Sequence, residues 1–186
     1  DIADTLSRVA GSKGPGINAL PLWLMEGMAE YLSLGRNDPH TAMWLRDAVL
    51  RNDLPTIRQL TRDSRYFPYR YGEALWAYVG GKWGDQMVGT LYRASVQHGF
   101  EPAIKRVLGI SHDSLSKEWH AAIRAAYAPV IAELTKPRDA GTRLLPAEQR
   151  EPGMMEVSPA LSPDGRYVAF LSSRNLVSVD LFVAET

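Results

Sequence analysis

Residues 22–32 read Leu-Trp-Leu-Met-Glu-Gly-Met-Ala-Glu-Tyr-Leu, and this stretch says more about the fold than any other. It is apolar on every side of a predicted helix except at Glu26 and Glu30. Residues four apart lie on one helix face, so both carboxylates point the same way. A helix that is apolar all round is normally buried, and a buried carboxylate is costly without a partner. We therefore expect a cation against this helix.

That cation is an arginine, a histidine or a metal ion. An arginine from elsewhere in the domain is the commonest solution, and the candidates are Arg46, Arg65 and Arg70. Arg70 is favoured because it adjoins Tyr69. His112 and His120 lie eight residues apart, a poor spacing for one metal, while a surface position is expected for His40 and a helix C-terminus for His98, so none of the four is expected to be a ligand.

Composition limits the function classes. The chain has 186 residues, 21 basic and 21 acidic side chains and 45% hydrophobic residues, enough for one domain and part of another. Neutrality without a basic cluster argues against nucleic-acid binding. No apolar run approaches the roughly 20 residues of a membrane-spanning helix. The absence of cysteine excludes disulfides and thiolate metal sites.

The periodicity changes along the chain. Residues 1–135 show helical patterning, residues 136–154 are rich in Pro, Gly and charge and read as a linker, and residues 155–186 show strand and turn patterning. The predicted fold class is mainly α with a short C-terminal β meander. Helices are predicted at Asp1–Ala10 (the end of a longer helix), between Pro21 and Gly35, at Pro39–Arg51, Pro55–Leu60 (helix or turn), Tyr69–Trp83, Asp85–Gln97 (capped by Asp85), Glu101–Leu108, and from Ser111 through Val130.

The tail has a strong turn signal, Pro163-Asp164-Gly165, between two predicted strands. The strand after the turn covers Tyr167–Leu171, and a third strand is predicted at Asp180–Ala184. Three strands alone would be marginally stable.

Residues 22–31 resemble the third-ligand segment of gluzincin (peptidase MA-like) zinc metallopeptidases, W-L-x-E-G-x-A-E-Y. In that family a preceding helix carries H-E-x-x-H, whose histidines bind zinc. The resemblance implies that this chain is the helical C-terminal subdomain of such an enzyme. It also implies that Glu26 is a zinc ligand and that Glu30 orients a zinc-binding histidine.

Tyr69-Arg70-Tyr71-Gly72-Glu73-Ala74-Leu75 is similar to the Y-x-x-G-x-x-L segment of gluzincin aminopeptidase-like enzymes. There the tyrosine donates a hydrogen bond to the developing oxyanion. The resemblance implies this catalytic role for Tyr69, with Tyr71 as the second choice. The alternative for either tyrosine is aromatic packing at the start of a helix.

H-E-x-x-H does not occur in these 186 residues. We expect it just upstream of Asp1 in a longer parent protein that cleaves a peptide or protein substrate with zinc. The chain by itself is then expected to be inactive and to bind no zinc tightly.

Residues 161–173 and 180–184 resemble one repeat of a TolB-like β-propeller. A single repeat cannot bury its faces, so the resemblance implies that the parent continues beyond Thr186. It further implies protein partners bound through the propeller and a bacterial extracytoplasmic location, periplasmic or secreted. The competing hypothesis is a non-catalytic interaction module that retains a peptidase-like helical scaffold.

Overall fold

A computed structural model describes Gly16 and residues 19–145, 155–174 and 178–186. The chain forms two compact units, the first ending at Glu133 and the second beginning at Leu134. The predicted helix end at Asp1–Ala10 lies outside the described residues.

The first unit is helical. Its described helices are α1 (Leu22–Leu34), α2 (Pro39–Leu50), α3 (Ile57–Arg62), α4 (Pro68–Trp83), α5 (Gln86–His98), α6 (Phe100–Leu108) and α7 (His112–Glu133). Each lies within about two residues of a predicted helix, apart from the later end of α7. The prediction of a mainly α fold is therefore confirmed.

Local sequence explains where these helices begin and end. The Asp38 carboxylate caps α2 by accepting a hydrogen bond from the Thr41 amide at 2.7 Å. Thr56 and Gln59 form a capping box at α3. Gly35 ends α1 with a φ of 80°, which a residue with a Cβ rarely adopts.

The predicted capping role of Asp85 at α5 is wrong. Asp85 precedes this helix but makes no side-chain capping bond to it. Its carboxylate instead accepts hydrogen bonds from the Tyr31 hydroxyl at 2.5 Å and from Arg36 at 2.6 Å. A charged donor and a phenol compete successfully with the backbone amide.

Helices α1 and α4 touch through their backbones. A Cβ at Gly27 would lie 2.4 Å from the Gly72 Cα, and one at Gly72 would lie 2.3 Å from the Trp23 carbonyl oxygen. The Trp76 indole also donates a hydrogen bond to the Leu24 carbonyl at 3.0 Å. The two glycines therefore set how closely the helices pack.

One side of α1 faces the core of the first unit. Its buried residues are Trp23, Leu24, Gly27 and Tyr31. On the other side Leu22 and Leu34 are exposed, and Leu32 is 69% exposed. The expectation that α1 is buried all round is wrong for the described structure, because only α4 and its neighbours cover it.

The second unit contains α8 (Pro137–Ala140), which lies within the stretch predicted to be a linker. Strands β1 (Glu156–Leu161), β2 (Tyr167–Ser172) and β3 (Asp180–Glu185) form an antiparallel sheet in the order β1-β2-β3. This is the predicted meander.

Only one face of the sheet is well covered. Val168 and Phe170 are buried, whereas Leu181 and Val183 on the opposite face are 70% and 64% exposed.

In the described part of the chain, no helix is long and apolar enough to cross a bilayer.

Candidate functional site

Glu30 has an arginine as its cation. Arg70 Nη1 donates to Glu30 Oε2 at 2.9 Å and lies 3.3 Å from Asp38 Oδ2. All three side chains are mostly buried. The sequence left an arginine, a histidine or a metal ion as the expected cation. For Glu30 the cation is an arginine, and it is Arg70, the favoured candidate.

Glu26 is different from its neighbour one turn later. It is half-buried, and it makes no hydrogen bond or ion pair with any residue that the structure describes. It shares its side of α1 with Leu22, at i−4, and Ala29, at i+3, both exposed. Helix α1 thus pairs one carboxylate and leaves the other, half-buried, without a partner among the described residues.

The two candidate tyrosines have different surroundings. The Tyr71 ring is buried and packs edge-on against Trp44 and Tyr66, with centroid distances of 6.1 and 5.9 Å. Burial raises the pKa of Tyr71 to about 12. Tyr69 is half-buried and stacks on Phe67 at 5.3 Å. The aromatic-packing alternative therefore describes Tyr71 well, and Tyr69 is the more accessible phenol.

The structure does not join the predicted site into one constellation. No hydrogen bond connects Glu26 to Tyr69 or Tyr71 among the described residues. The helices that carry them are nevertheless neighbours, because α1 and α4 cross at Gly27 and Gly72.

A zinc site needs three or four His, Cys, Asp or Glu side chains brought together around one point. Within the described ranges, no group of three or more His, Cys, Asp or Glu side chains is arranged to hold a metal. His120 Nε2 lies 2.8 Å from the Pro55 carbonyl, and burial lowers the pKa of this imidazole. The described residues thus offer zinc the unpaired carboxylate of Glu26, and they do not fit a complete zinc site.

Glu73 was overlooked in the sequence. It is 1% exposed, and its Oε2 is buried without a hydrogen-bond partner. Burial raises the pKa of this carboxyl group, while the nearby Thr41 hydroxyl opposes the rise. The available signal was a single carboxylate within the otherwise uncharged run 71–76 of a predicted core helix.

Comparisons with protein-family models, with curated proteins and with solved structures found no match to this chain.

Proposed function

We propose that this chain is the C-terminal helical part of a zinc-dependent peptidase domain, followed by one TolB-like propeller repeat. The H-E-x-x-H helix is then supplied by residues outside these 186. The observation that carries the proposal is the contrast between Glu30, neutralised by Arg70, and Glu26, which has no partner among the described residues.

The position of Glu26 supports the role of a ligand. A half-buried carboxylate on an apolar helix face is stabilised by a cation brought to it. The exposed Leu22 on the same face is apolar surface that a further helix would cover. One added helix that carries a cation would cover the exposed Leu22 and would also pair with Glu26.

Tyr69 supplies a hydrogen-bond donor on the neighbouring helix. A phenol placed against a substrate carbonyl stabilises the negative charge that develops on its oxygen during attack. Tyr69 is accessible for this role, and Tyr71 is enclosed by aromatic rings. We therefore assign the donor role to Tyr69 within the proposal.

The second unit supports the propeller repeat. Leu181 and Val183 leave an apolar sheet face open, as in a blade that requires a neighbouring blade. With the peptidase resemblance, this leads us to propose a peptide or protein substrate, protein partners and an extracytoplasmic location.

A non-catalytic interaction module is the second candidate. The Arg70–Glu30 pair favours it, because the carboxylate expected to orient a histidine is already bound to a guanidinium. In such a module Arg70 is the cation that pairs with α1, and zinc is not needed.

Peptide hydrolysis distinguishes the two candidates. Full-length protein that contains this chain, purified with zinc, is expected to cleave an unstructured polypeptide such as casein. Hydrolysis should stop when a chelator is added and should resume when zinc is restored. The 186-residue chain alone is expected to show no tight one-to-one zinc binding by calorimetry. No hydrolysis by zinc-replete full-length protein would support the module, and tight binding by the short chain would contradict an incomplete site.

A further inference from the structure

The ring of Tyr69 belongs to a surface strip of three aromatic side chains. It stacks on Phe67 with the ring centroids 5.3 Å apart, and Phe67 stacks in turn on Trp44 of α2 at 5.4 Å. Phe67 is 40% exposed and Trp44 is 37% exposed, although large aromatic side chains usually bury most of their surface. The aromatic strip, Trp44, Phe67 and Tyr69, therefore leaves ring surface open beside the proposed oxyanion donor.

A buried layer of rings supports the strip. Tyr71 packs edge-on against Trp44 at 6.1 Å and against Tyr66 at 5.9 Å, and both tyrosines are buried. The Tyr66 hydroxyl also donates a hydrogen bond to Asp53 at 2.6 Å. These contacts hold the strip in one arrangement. A rigid aromatic surface loses little conformational entropy when it binds a ligand, so it is well suited to recognition.

The charged side chains near the strip in the sequence are paired with one another. Each strip residue has one such ion pair within three positions of it along the chain. The pairs are Asp47 with Arg51, Asp63 with Arg65, and Glu30 and Asp38 with Arg70. Because these charges are already compensated, the strip favours an uncharged group over a charged one.

The continuity of the strip with Tyr69 points to a side chain of the peptide substrate. In the proposed function the Tyr69 hydroxyl faces the carbonyl of the bond that is cleaved. A residue next to that bond lies about 3.3 Å further along an extended chain, and Phe67 lies one ring-to-ring step of 5.3 Å from Tyr69. An aromatic side chain at this place gains more than its buried area provides, because ring quadrupoles favour offset-stacked and edge-to-face pairs.

We propose that the aromatic strip binds an aromatic side chain of the substrate next to the cleaved bond, so that the substrates are polypeptides with Phe, Tyr or Trp at that position. Phe67 and Trp44 then determine specificity, and Tyr69 serves the oxyanion. The role in cleavage rests on the proposed peptidase function, whereas binding to the strip can be measured on the 186-residue chain itself.

The first test measures binding without catalysis. Acetyl-Gly-Gly-Phe-Gly-Gly-amide, the Phe peptide, is titrated into the isotope-labelled 186-residue chain and followed by the NMR signals of the Trp44 indole and the Phe67 amide. Saturable binding is expected, with a dissociation constant about ten-fold lower than for the matching peptides that carry Ala or Glu in place of Phe. No saturable shift, or equal binding of the Ala peptide, would overturn the proposal.

Other occupants of the strip are tested in the same samples. A proline-rich partner would be indicated if acetyl-Gly-Pro-Pro-Pro-Gly-amide bound more tightly than the Phe peptide. A second copy of the chain would be indicated by a dimer in sedimentation velocity that Trp44→Ala converts to a monomer. We expect neither result, and either of them would overturn the proposal.

Variants of Phe67 locate the binding surface. Phe67→Ala should weaken binding of the Phe peptide about ten-fold, and Phe67→Tyr, which keeps the ring, should restore it. Val130→Ala removes an exposed apolar side chain of α7, outside the strip, and should bind like the original chain. Undiminished binding by Phe67→Ala, with its fold confirmed by circular dichroism, would overturn the proposal.

The last test uses zinc-replete full-length protein. Bonds cut in casein, identified by mass spectrometry, should have an aromatic neighbour more often than its frequency in casein predicts. Phe67→Ala should lower kcat/KM for a substrate with Phe beside the cleaved bond about ten-fold, mainly through KM, and should hardly change it for the Ala counterpart.

The two proposals fail in different ways in this test. Cleavage without an aromatic preference would overturn the present inference and leave the peptidase function standing. No cleavage at all, with binding of the Phe peptide intact, would overturn the peptidase function and the substrate role, and would leave the strip as a binding surface for aromatic peptides.

Discussion

Arg70 stabilises the first unit by pairing with the carboxylates of Glu30 and Asp38. Because its guanidinium contacts Glu30 at 2.9 Å in a mostly buried setting, replacing it leaves that carboxylate unpaired. We predict that Arg70→Met lowers the free energy of unfolding by about 2 kcal/mol, measured by urea denaturation. Arg65→Met is the matched control, because Arg65 pairs with Asp63 only two residues away on the exposed surface, and its midpoint should barely move. Equal midpoints for both variants would contradict the structural role of Arg70.

Glu73 is predicted to make stability depend on pH. Its pKa in the folded protein is raised by burial above the ordinary value of 4.5, so the folded state binds the proton more readily than the unfolded chain. The destabilising effect of the charge is therefore absent below pH 4.5 and fully present once the pH exceeds the raised pKa. Glu73→Gln should be more stable than the original chain by about 1 kcal/mol at neutral pH, with the difference vanishing at about pH 4. A difference in melting temperature that grows on acidification would refute this prediction.

Tyr69 and Tyr71 test the proposed oxyanion donor directly. If the full-length protein is the proposed peptidase, Tyr69→Phe should lower its turnover by about 10- to 100-fold, since one hydrogen bond to the developing charge is lost, and should leave its zinc content unchanged. Tyr71→Phe serves as the control, because this ring packs among Trp44 and Tyr66 and should leave turnover near the original rate. An unchanged rate for Tyr69→Phe would remove the tyrosine from the mechanism.

Helices α1 and α4 depend on two glycines for their close contact. We predict that Gly72→Ala lowers the free energy of unfolding by about 3 kcal/mol or more, because its Cβ would lie 2.3 Å from the Trp23 carbonyl and the helices must separate. Gly81→Ala lies on the same helix with open space around it and should stabilise the protein by about 0.5–1 kcal/mol. Equal denaturant midpoints for Gly72→Ala and Gly81→Ala would show that the close contact between α1 and α4 is unimportant for stability.

Much of the helix pattern could be predicted from the sequence because its signals are local. The capping residue Asp38 and the stop at Gly35 act on their own backbone, so sequence neighbours suffice to locate α1 and α2. Burial is a tertiary property and was harder to predict. The outer face of α1 is exposed, because its apolar periodicity does not reveal how many partners pack against it.

The site was predicted only in part for the same reason. Arg70 could be chosen as the partner of Glu30 from its position near Tyr69, although the contact joins residues 40 positions apart. The aromatic strip depends on how α2 and the start of α4 meet, and no local motif encodes that arrangement.

The two compact units of the chain differ in how completely they bury apolar surface. The first has a continuous core extending from Leu20 to Ile123, whereas the sheet of the second buries Val168 and Phe170 on one face. The open sheet face and the outward face of α1 are apolar surfaces of the described residues that the proposed larger protein would cover. Glu26 lies on the outward side of α1, so whether its carboxylate binds a cation depends on what packs against that side.

Zinc content of the full-length protein tests this account most directly. By plasma emission spectrometry after dialysis, the original protein should retain about one zinc per chain, and Glu26→Gln should retain almost none, because an amide is a poor replacement for a carboxylate ligand. Glu101→Gln, an exposed carboxylate on α6, should retain zinc fully. Full zinc retention by Glu26→Gln, or no zinc in the original protein, would contradict the claim that Glu26 holds the metal.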